Sequence, residues 1–215
     1  MLTELFPVFG LRVTTPRLEL RLATEDELPT FAAVAAEGVH DSAYMPFLTP
    51  WTACPPAQRG RNVVQWYWRQ LSGMKPGDWG LPLTVFIDGA PVGLQEIAAE
   101  DFAVTREVST GSWLGLRHHG QGIGTEMRAA VLHLAFAGLG AVEAVSQAFD
   151  DNGASLAVSE KIGYEHDGIK RRAVDGVLRT DIRLRITRDV WEKRRTVPVE
   201  VHGLESCLPD LGVSE

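Results

Sequence analysis

Leucine alternates strictly with charged residues in RLELRL, residues 17–22, the period-two pattern of a half-buried strand. Thr24 with Glu27 then makes a capping box, and Leu28, Phe31, Ala32, Val34 and Ala35 form the apolar stripe of a helix. A second helix is predicted over 57–71, carrying Val63, Val64, Trp66, Tyr67 and Leu71. Asp88-Gly89 is a tight hairpin turn between strands at 83–87 and 91–98. A further strand over 107–116 runs into a glycine-rich turn, and Met127, Val131, Leu132, Leu134 and Ala135 continue as a helix that ends near Gly138 and Gly140. An apolar strand at 142–149 follows, then Asp150-Asp151-Asn152 as a cap for a helix at 153–162 closed by Gly163. Asp175-Gly176 turns a second hairpin between 169–174 and 177–186, and one helical turn falls at 189–193. Neither the first sixteen residues, an arm by pattern, nor the last twenty or so shows a usable period. The order β-α-α-β-β-β-α-β-α-β-β predicts an α+β fold built on one mixed sheet.

Between Gly38 and Pro56 the pattern breaks down. Pro46 and Pro50 forbid a continuous helix, yet Tyr44, Met45, Phe47, Leu48 and Trp51 are too apolar for a plain solvent loop. Such a segment serves as a lid over the core, as a substrate-binding loop, or as both.

Composition narrows the function classes. The 215 residues are 45% hydrophobic, enough for one sizeable core, and there is no repeat or linker to divide them. A net charge of −7 argues against a dedicated binder of nucleic acid or of an anionic membrane. Cys54 and Cys207 lie far apart with no CxxC spacing, which suggests neither a disulfide framework nor a zinc site. With no signal-peptide pattern and no apolar run of transmembrane length, the expectation is a soluble, cytoplasmic protein. The aromatic run Trp66-Tyr67-Trp68 suits core or dimer packing, so with the unassigned tail it is compatible with a homodimer.

The chemistry gathers at Arg117-His118-His119-Gly120-Gln121-Gly122-Ile123-Gly124-Thr125. A strand that passes through glycines straight into a helix leaves backbone N–H groups aimed at one point, which suits a phosphate. A Rossmann turn would need to follow the first strand of a βαβ unit, and antiparallel hairpins precede this one. A P-loop would need Gly-Lys-Ser/Thr, which is absent. Three glycines alone also fit a tight turn without ligand. His118 and His119, as neighbours, point apart and have no third partner, so no metal is expected.

Arg117-x-x-Gly120-x-Gly122 after a strand and before a helix resembles the acyl-CoA pyrophosphate loop of the GNAT superfamily of N-acetyltransferases, and the order of elements is similar over about residues 15–189. The pair Trp113-Leu114, the Gly-Gln-Gly at 120–122, Asn152 to Ser155 as Asn-x-x-Ser, and Gly163-Tyr164 look closest to the RimJ/RimL type. Met45–Trp51 and the run from Gly124 also resemble actinobacterial members for which succinyl-CoA is the suggested donor. The resemblance implies one mostly antiparallel acyltransferase domain over 1–215, with its core at about 15–190 and an extension at 191–215. It implies acetyl-CoA or succinyl-CoA as co-substrate and a primary amine as acceptor, a protein N-terminus first.

On that resemblance the CoA site comprises Trp113, Leu114, Leu116, the loop Arg117–Thr125, Asn152 and Ser155. Ser155 would protonate the departing thiolate, although a first-turn serine can equally bond the backbone. Asn152 would cap its helix, touch the CoA arm, or do both. Arg117 would contact phosphate or form a surface ion pair. RimL-like proteins carry a glutamate four residues before the Trp, where this chain has Ser109. Glu107, on the same strand face, is the substitute base, with Glu96, Asp41 and His40 as further candidates. Tyr44, Met45, Phe47 and Trp51 would border the acceptor. The missing glutamate leaves an acyl-CoA-binding module without chemistry as the alternative.

Overall fold

A computed structural model of the chain describes residues 2–213. Among the described residues nine strands form one sheet in the order β7-β8-β6-β5-β4-β3-β2-β1-β9. They are β1 (Arg12–Thr14), β2 (Glu19–Arg21), β3 (Trp79–Ile87), β4 (Ala90–Ala99), β5 (Glu107–Leu114), β6 (Glu143–Phe149), β7 (Glu165–Val174), β8 (Val177–Thr187) and β9 (Glu200–His202). Every neighbouring pair is antiparallel except β5 and β6. The helices are α1 (Leu2–Leu5), α2 (Leu28–Glu37), α3 (Pro56–Ser72), α4 (Phe102–Thr105), α5 (Ile123–His133), α6 (Gly153–Ile162) and α7 (Arg188–Arg194).

Both predicted hairpin turns are present, and each follows from its dipeptide. Asp88 and Gly89 take φ of 49° and 77°, and Asp175 and Gly176 take 49° and 77°, the left-handed pair that only Asn, Asp and Gly adopt cheaply. Strand parity sorts the sheet into two faces. Phe31 of α2 stacks on Trp113 of β5 at 5.3 Å, and Gln70 of α3 reaches Glu96 of β4, so α2 and α3 cover the face of Trp113, Gly111, Ser109 and Glu96. Arg128 of α5 bonds Gln95 and Ser112, which places α5 on the opposite face. The capping box at Thr24 is half formed: the Glu27 carboxylate accepts from the Thr24 N–H at 2.8 Å, and helix α2 begins one residue later.

Three stretches depart from the sequence pattern. The arm contains β1, which is only three residues long and therefore too short to show a period. The strand expected over 107–116 stops at Leu114, because Gly115 turns the chain against Val34 into a short 3-10 turn at Leu116–His118. The unassigned tail is ordered by tertiary contacts: β9 pairs with β1, Trp79 Nε1 donates to Leu211 O at 2.9 Å, and Cys207 and Leu211 are fully buried. Gly138, in a π turn after α5, makes room for it, since a Cβ there would stand 2.7 Å from Leu204. Burial pushes the Cys207 thiol up to about 11, and both cysteines are free. Of the aromatic run, Tyr67 is core and Trp68 is exposed; the Tyr67 hydroxyl accepts from the Ala23 N–H at 2.7 Å.

Candidate active site

The sheet opens where β5 and β6 part. They pair only from Glu107–Ser109 to Glu143–Val145; beyond that β5 follows β4 to Leu114, while β6 follows β8 to Phe149. The result is a wedge with unpaired backbone on both walls, part of an open cleft of about 1470 Å³. An extended ligand can lie in such a wedge and take the place of the missing strand partners.

The glycine loop stands at the mouth of the wedge. His118 and His119 spend their N–H groups on Gly115 O and Leu116 O, at 2.9 and 3.1 Å. The N–H groups of Gly120 through Thr125 have no acceptor among the described residues, and the first helical bond is Glu126 N–H to Gly122 O. Gly120 and Gly122 take φ of 72° and 76°, which turn these donors to one side at the positive end of α5. The loop is fixed from outside. Buried Glu126 accepts from Thr15 Oγ1 at 2.6 Å and from Arg17 Nε at 2.7 Å, and Arg17 also donates to Gln121 O at 3.1 Å. Arg117 pairs at the surface with Glu37 at 3.0 Å. Burial and the neighbouring Arg117 charge lower the His118 pKa. Among the described residues no group of three or more His, Cys, Asp or Glu side chains is placed to hold a metal.

Helix α6 rises from the far wall of the wedge. Asn152 Oδ1 accepts from the Ser155 N–H at 3.1 Å, a side-chain N-cap, and Gly163 ends the helix at φ 109°. The half-buried Ser155 hydroxyl has no hydrogen-bond partner among the described residues and lines the cleft. It is thus free to meet a ligand.

On the α3 face, Glu96, Gly111, Ser109 and Glu107 stand in line by strand parity. Glu107 is exposed and sits at the closed end of the wedge, beside Glu143. Glu96 lies further out, opposite Gly111, with Gln70 Nε2 donating to its Oε1 at 2.5 Å. Burial raises its pKa above the usual carboxylate range, against the bond from Gln70.

The segment 38–55 roofs this face. His40 is consumed in it, bonding Thr52 Oγ1 and Asp41 O at 2.7 Å each, and Asp41 Oδ1 accepts from the Ala43 N–H at 2.9 Å. Both therefore organise the lid. Phe47, Trp51 and Trp113 continue as a chain of rings, 5.2 and 5.8 Å between centroids, while Tyr44 packs edge-on against His40. Arg179 of β8 ties the roof down: it grips both oxygens of Asp151 at 2.7 and 2.8 Å and donates to Met45 O at 3.5 Å. The structure so brings Tyr44 and Phe47 to the rim of the same cleft that holds the loop and Ser155, whereas Met45, whose sulfur accepts from Thr52 Oγ1, and Trp51, packed between Phe47 and Trp113, stand behind them.

Sequence pattern missed two residues, one that lines the cleft and one that braces its lid. Arg179 reads as one of several arginines alternating along β8, and nothing local marks it as the latch. Arg128 is buried in the wedge, and its only signal is a charge set among the apolar Met127, Ala130 and Val131 of α5.

The acetyltransferase (GNAT) domain family matches residues 17–165. RimL, a ribosomal L7/L12 alpha-N-protein acetyltransferase seen in complex with coenzyme A, superposes with a TM-score of 0.64 at 20% identity, covering 80% of this chain and 95% of that one. Mycobacterium smegmatis RimJ in complex with CoA-disulfide gives 0.64 at 19%, covering 93% and 91%. A GCN5-related N-acetyltransferase from Brucella melitensis gives 0.66 at 17%, covering 86% and 81%. At such identities these structures speak for the fold alone.

Proposed function

The chain belongs to the acetyltransferase (GNAT) family, and from that premise we propose that it moves an acyl group from acyl-CoA directly onto a primary amine, without a covalent enzyme intermediate. The observation that carries this reading is the run of uncommitted N–H groups from Gly120 to Thr125 at the open end of the β5–β6 wedge. A diphosphate fits the loop, and the pantetheine arm then lies in the wedge with its thioester beside β5. Trp113, Leu114 and Leu116 line that path, and an N–H of β5 near Trp113 faces the thioester oxygen.

The amine nitrogen attacks the thioester carbon, the C–S bond breaks, and CoA leaves as a thiol. Glu96 is the group best situated to take the amine proton, because its burial raises its pKa toward the operating range. Glu107, two strand positions below Ser109, is the second candidate base and would reach the amine through water. Ser155 Oγ donates to the thiolate and recovers its proton from solvent. Asn152, with its side chain turned to the Ser155 N–H, holds the first turn of α6 that carries Ser155.

The acceptor approaches from the α3 face under the lid of Tyr44, Met45, Phe47 and Trp51. RimL, an alpha-N-protein acetyltransferase, favours a protein N-terminus as acceptor, and an open, one-sided cleft can admit a chain end. Acetyl-CoA is the donor by family, and succinyl-CoA is the longer alternative. Release of free CoA against a panel of N-terminal peptides, lysine peptides and small amines tests the reading. Tight CoA binding with no turnover on any amine would overturn the enzyme and leave a binding module.

A further inference from the structure

Glu96 is flanked by a glycine on each neighbouring strand, and neither glycine is there for its backbone. On β5, Gly111 stands directly across from it; on β3, Gly80 stands across from Ala98, one diagonal step away. Both lie within strands, where glycine weakens the sheet, and neither takes the positive φ that calls for one. One gap is filled and the other is open. A Cβ at Gly80 would stand 2.9 Å from Gln70 Nε2 and 3.3 Å from its Cδ, whereas at Gly111 it would meet only Glu96 Oε2, at 3.2 Å. Gly80 thus admits the amide of Gln70 to the carboxylate, and Gly111 leaves the second oxygen clear.

Gln70 belongs to the last turn of α3 and donates from Nε2 to Glu96 Oε1 at 2.5 Å, the only hydrogen bond of this carboxylate among the described residues. It does not line the cleft of the wedge. It lines a second cavity of about 620 Å³ between α3, the end of β4 and the start of β5, so its route to the reaction runs through Glu96. A cation in its place would hold the carboxyl low and leave a weak base; a neutral amide fixes one oxygen and opposes only part of what burial adds. Arg69, next in sequence, is turned away and donates to Gln65 O at 3.3 Å, and Arg128 lies on the other face of the sheet. From β3 only the uncharged Pro82 and Gly80 face the carboxylate. Glu107 stands beyond Ser109 on β5, and Glu143 on β6 pairs with Arg185 at 2.7 Å. His40 and Asp41 are bonded within the lid.

We propose that Gln70 is a positioning residue of the acceptor site: it pins Glu96 Oε1, so that Oε2, in the gap over Gly111, is the oxygen that takes the proton of the attacking amine. The inference rests on the acyl-transfer reading above, with Glu96 as its base. As the amine nitrogen bonds the thioester carbon and the C–S bond breaks, the N–H proton passes to Oε2. The neutral carboxyl stays bonded to Gln70 through Oε1 until it gives that proton to water. A carboxylate held at one oxygen presents the other in one orientation, which is what distinguishes a placed base from a mobile one.

The experiment measures kcat/KM against pH with acetyl-CoA and the amine that wild type turns over fastest, in wild type, Gln70→Met, Gln70→Lys and Gly80→Ala, beside CoA titration and urea midpoints. Gln70→Met keeps the bulk and removes the donor. Its acid limb moves to higher pH, and its kcat at neutral pH falls about 10-fold while CoA affinity stays within about 2-fold. Gln70→Lys sets a cation against the carboxylate and moves the limb to lower pH. Gly80→Ala displaces the amide without changing it and moves the limb the way Gln70→Met does. A part in folding alone would not shift the limb in opposite directions. Folded Met and Lys variants that keep the wild-type limb would overturn the inference and leave acyl transfer standing. If either variant does not fold, an unchanged limb in Gly80→Ala overturns it in the same way. Wild type that binds CoA but turns over no amine would overturn the acyl-transfer reading together with it.

Discussion

Glu96 on β4 stands directly across from Gly111 on β5, and a Cβ added at Gly111 would lie 3.2 Å from Glu96 Oε2. The glycine therefore keeps open the space beside this carboxylate, which on the proposed mechanism a substrate amine would enter. Glu96→Gln is expected to lower kcat by about 100-fold or more while CoA affinity holds, the ordinary cost of losing a positioned base. Gly111→Ala should lower kcat in the same direction by crowding the carboxylate. Steady-state kinetics beside CoA titration checks both. A base works ionised, so a raised pKa moves the acid limb of kcat/KM upward: activity falls as pH drops through a value above the usual carboxylate range. A wild-type limb within the ordinary range would count against Glu96.

Asn152 and Ser155 separate stability from chemistry. Asn152→Ala removes the α6 cap and should cost about 1 kcal/mol of folding stability, read as a lowered urea midpoint. Ser155→Ala leaves that cap intact, because the bond uses the Ser155 backbone N–H. Its expected effect is a fall in kcat of about 10-fold or more with an unchanged urea midpoint. Undiminished turnover in Ser155→Ala would remove the hydroxyl from the mechanism.

The glycine loop was legible because its chemistry is local: three glycines between a strand and an amphipathic helix already say which N–H groups are left over. Hairpins were legible for the same reason, through Asp88-Gly89 and Asp175-Gly176. The tail was not, since its order comes from pairing with β1 and from the Trp79 to Leu211 bond, partners more than a hundred residues away. Glu96 was visible only as one carboxylate among several. What distinguishes it, a glycine opposite and a glutamine from α3, belongs to strand register and helix packing. Arg128 escaped altogether, because one charge on a helix says nothing of a wedge between strands that the helix crosses.

Gly120 and Gly122 both hold positive φ, but they differ in surroundings. A Cβ at Gly120 meets nothing within 4 Å, whereas at Gly122 it would approach Arg17 at 3.6 Å. Alanine at Gly120 therefore costs only backbone strain, about 1 kcal/mol, and projects into the space the diphosphate would fill. CoA affinity should fall further than stability does. Parallel CoA titration and urea unfolding test this; equal losses in the two would mean that the loop faces no ligand.

Arg179 holds the lid to the body through Asp151 and Met45 O. Replacing it by alanine frees residues 41–51 at the acceptor side while the phosphate loop is untouched. The expected signature is a rise in KM for the amine of about 10-fold with little change in the affinity for CoA. A variant whose CoA affinity falls as much as its amine affinity would place the lid over the donor instead.

Acid stability should depend on Glu27. Its carboxylate takes hydrogen bonds from Arg21 at 2.7 Å on each oxygen and another from the Thr24 N–H, which together hold its pKa down at about 2 against the burial that raises it. A carboxyl depressed in the folded state stabilises the fold above its unfolded value, near 4.5, and loses that contribution as pH falls toward 2. The pair is partly exposed, so the contribution at neutral pH is about 1 kcal/mol rather than the full shift. Glu27→Gln should therefore lower the thermal midpoint at pH 7 and match wild type near pH 2. Stability curves that stay parallel across this range would show that Arg21 finds an equal partner in Glu19, which it also contacts.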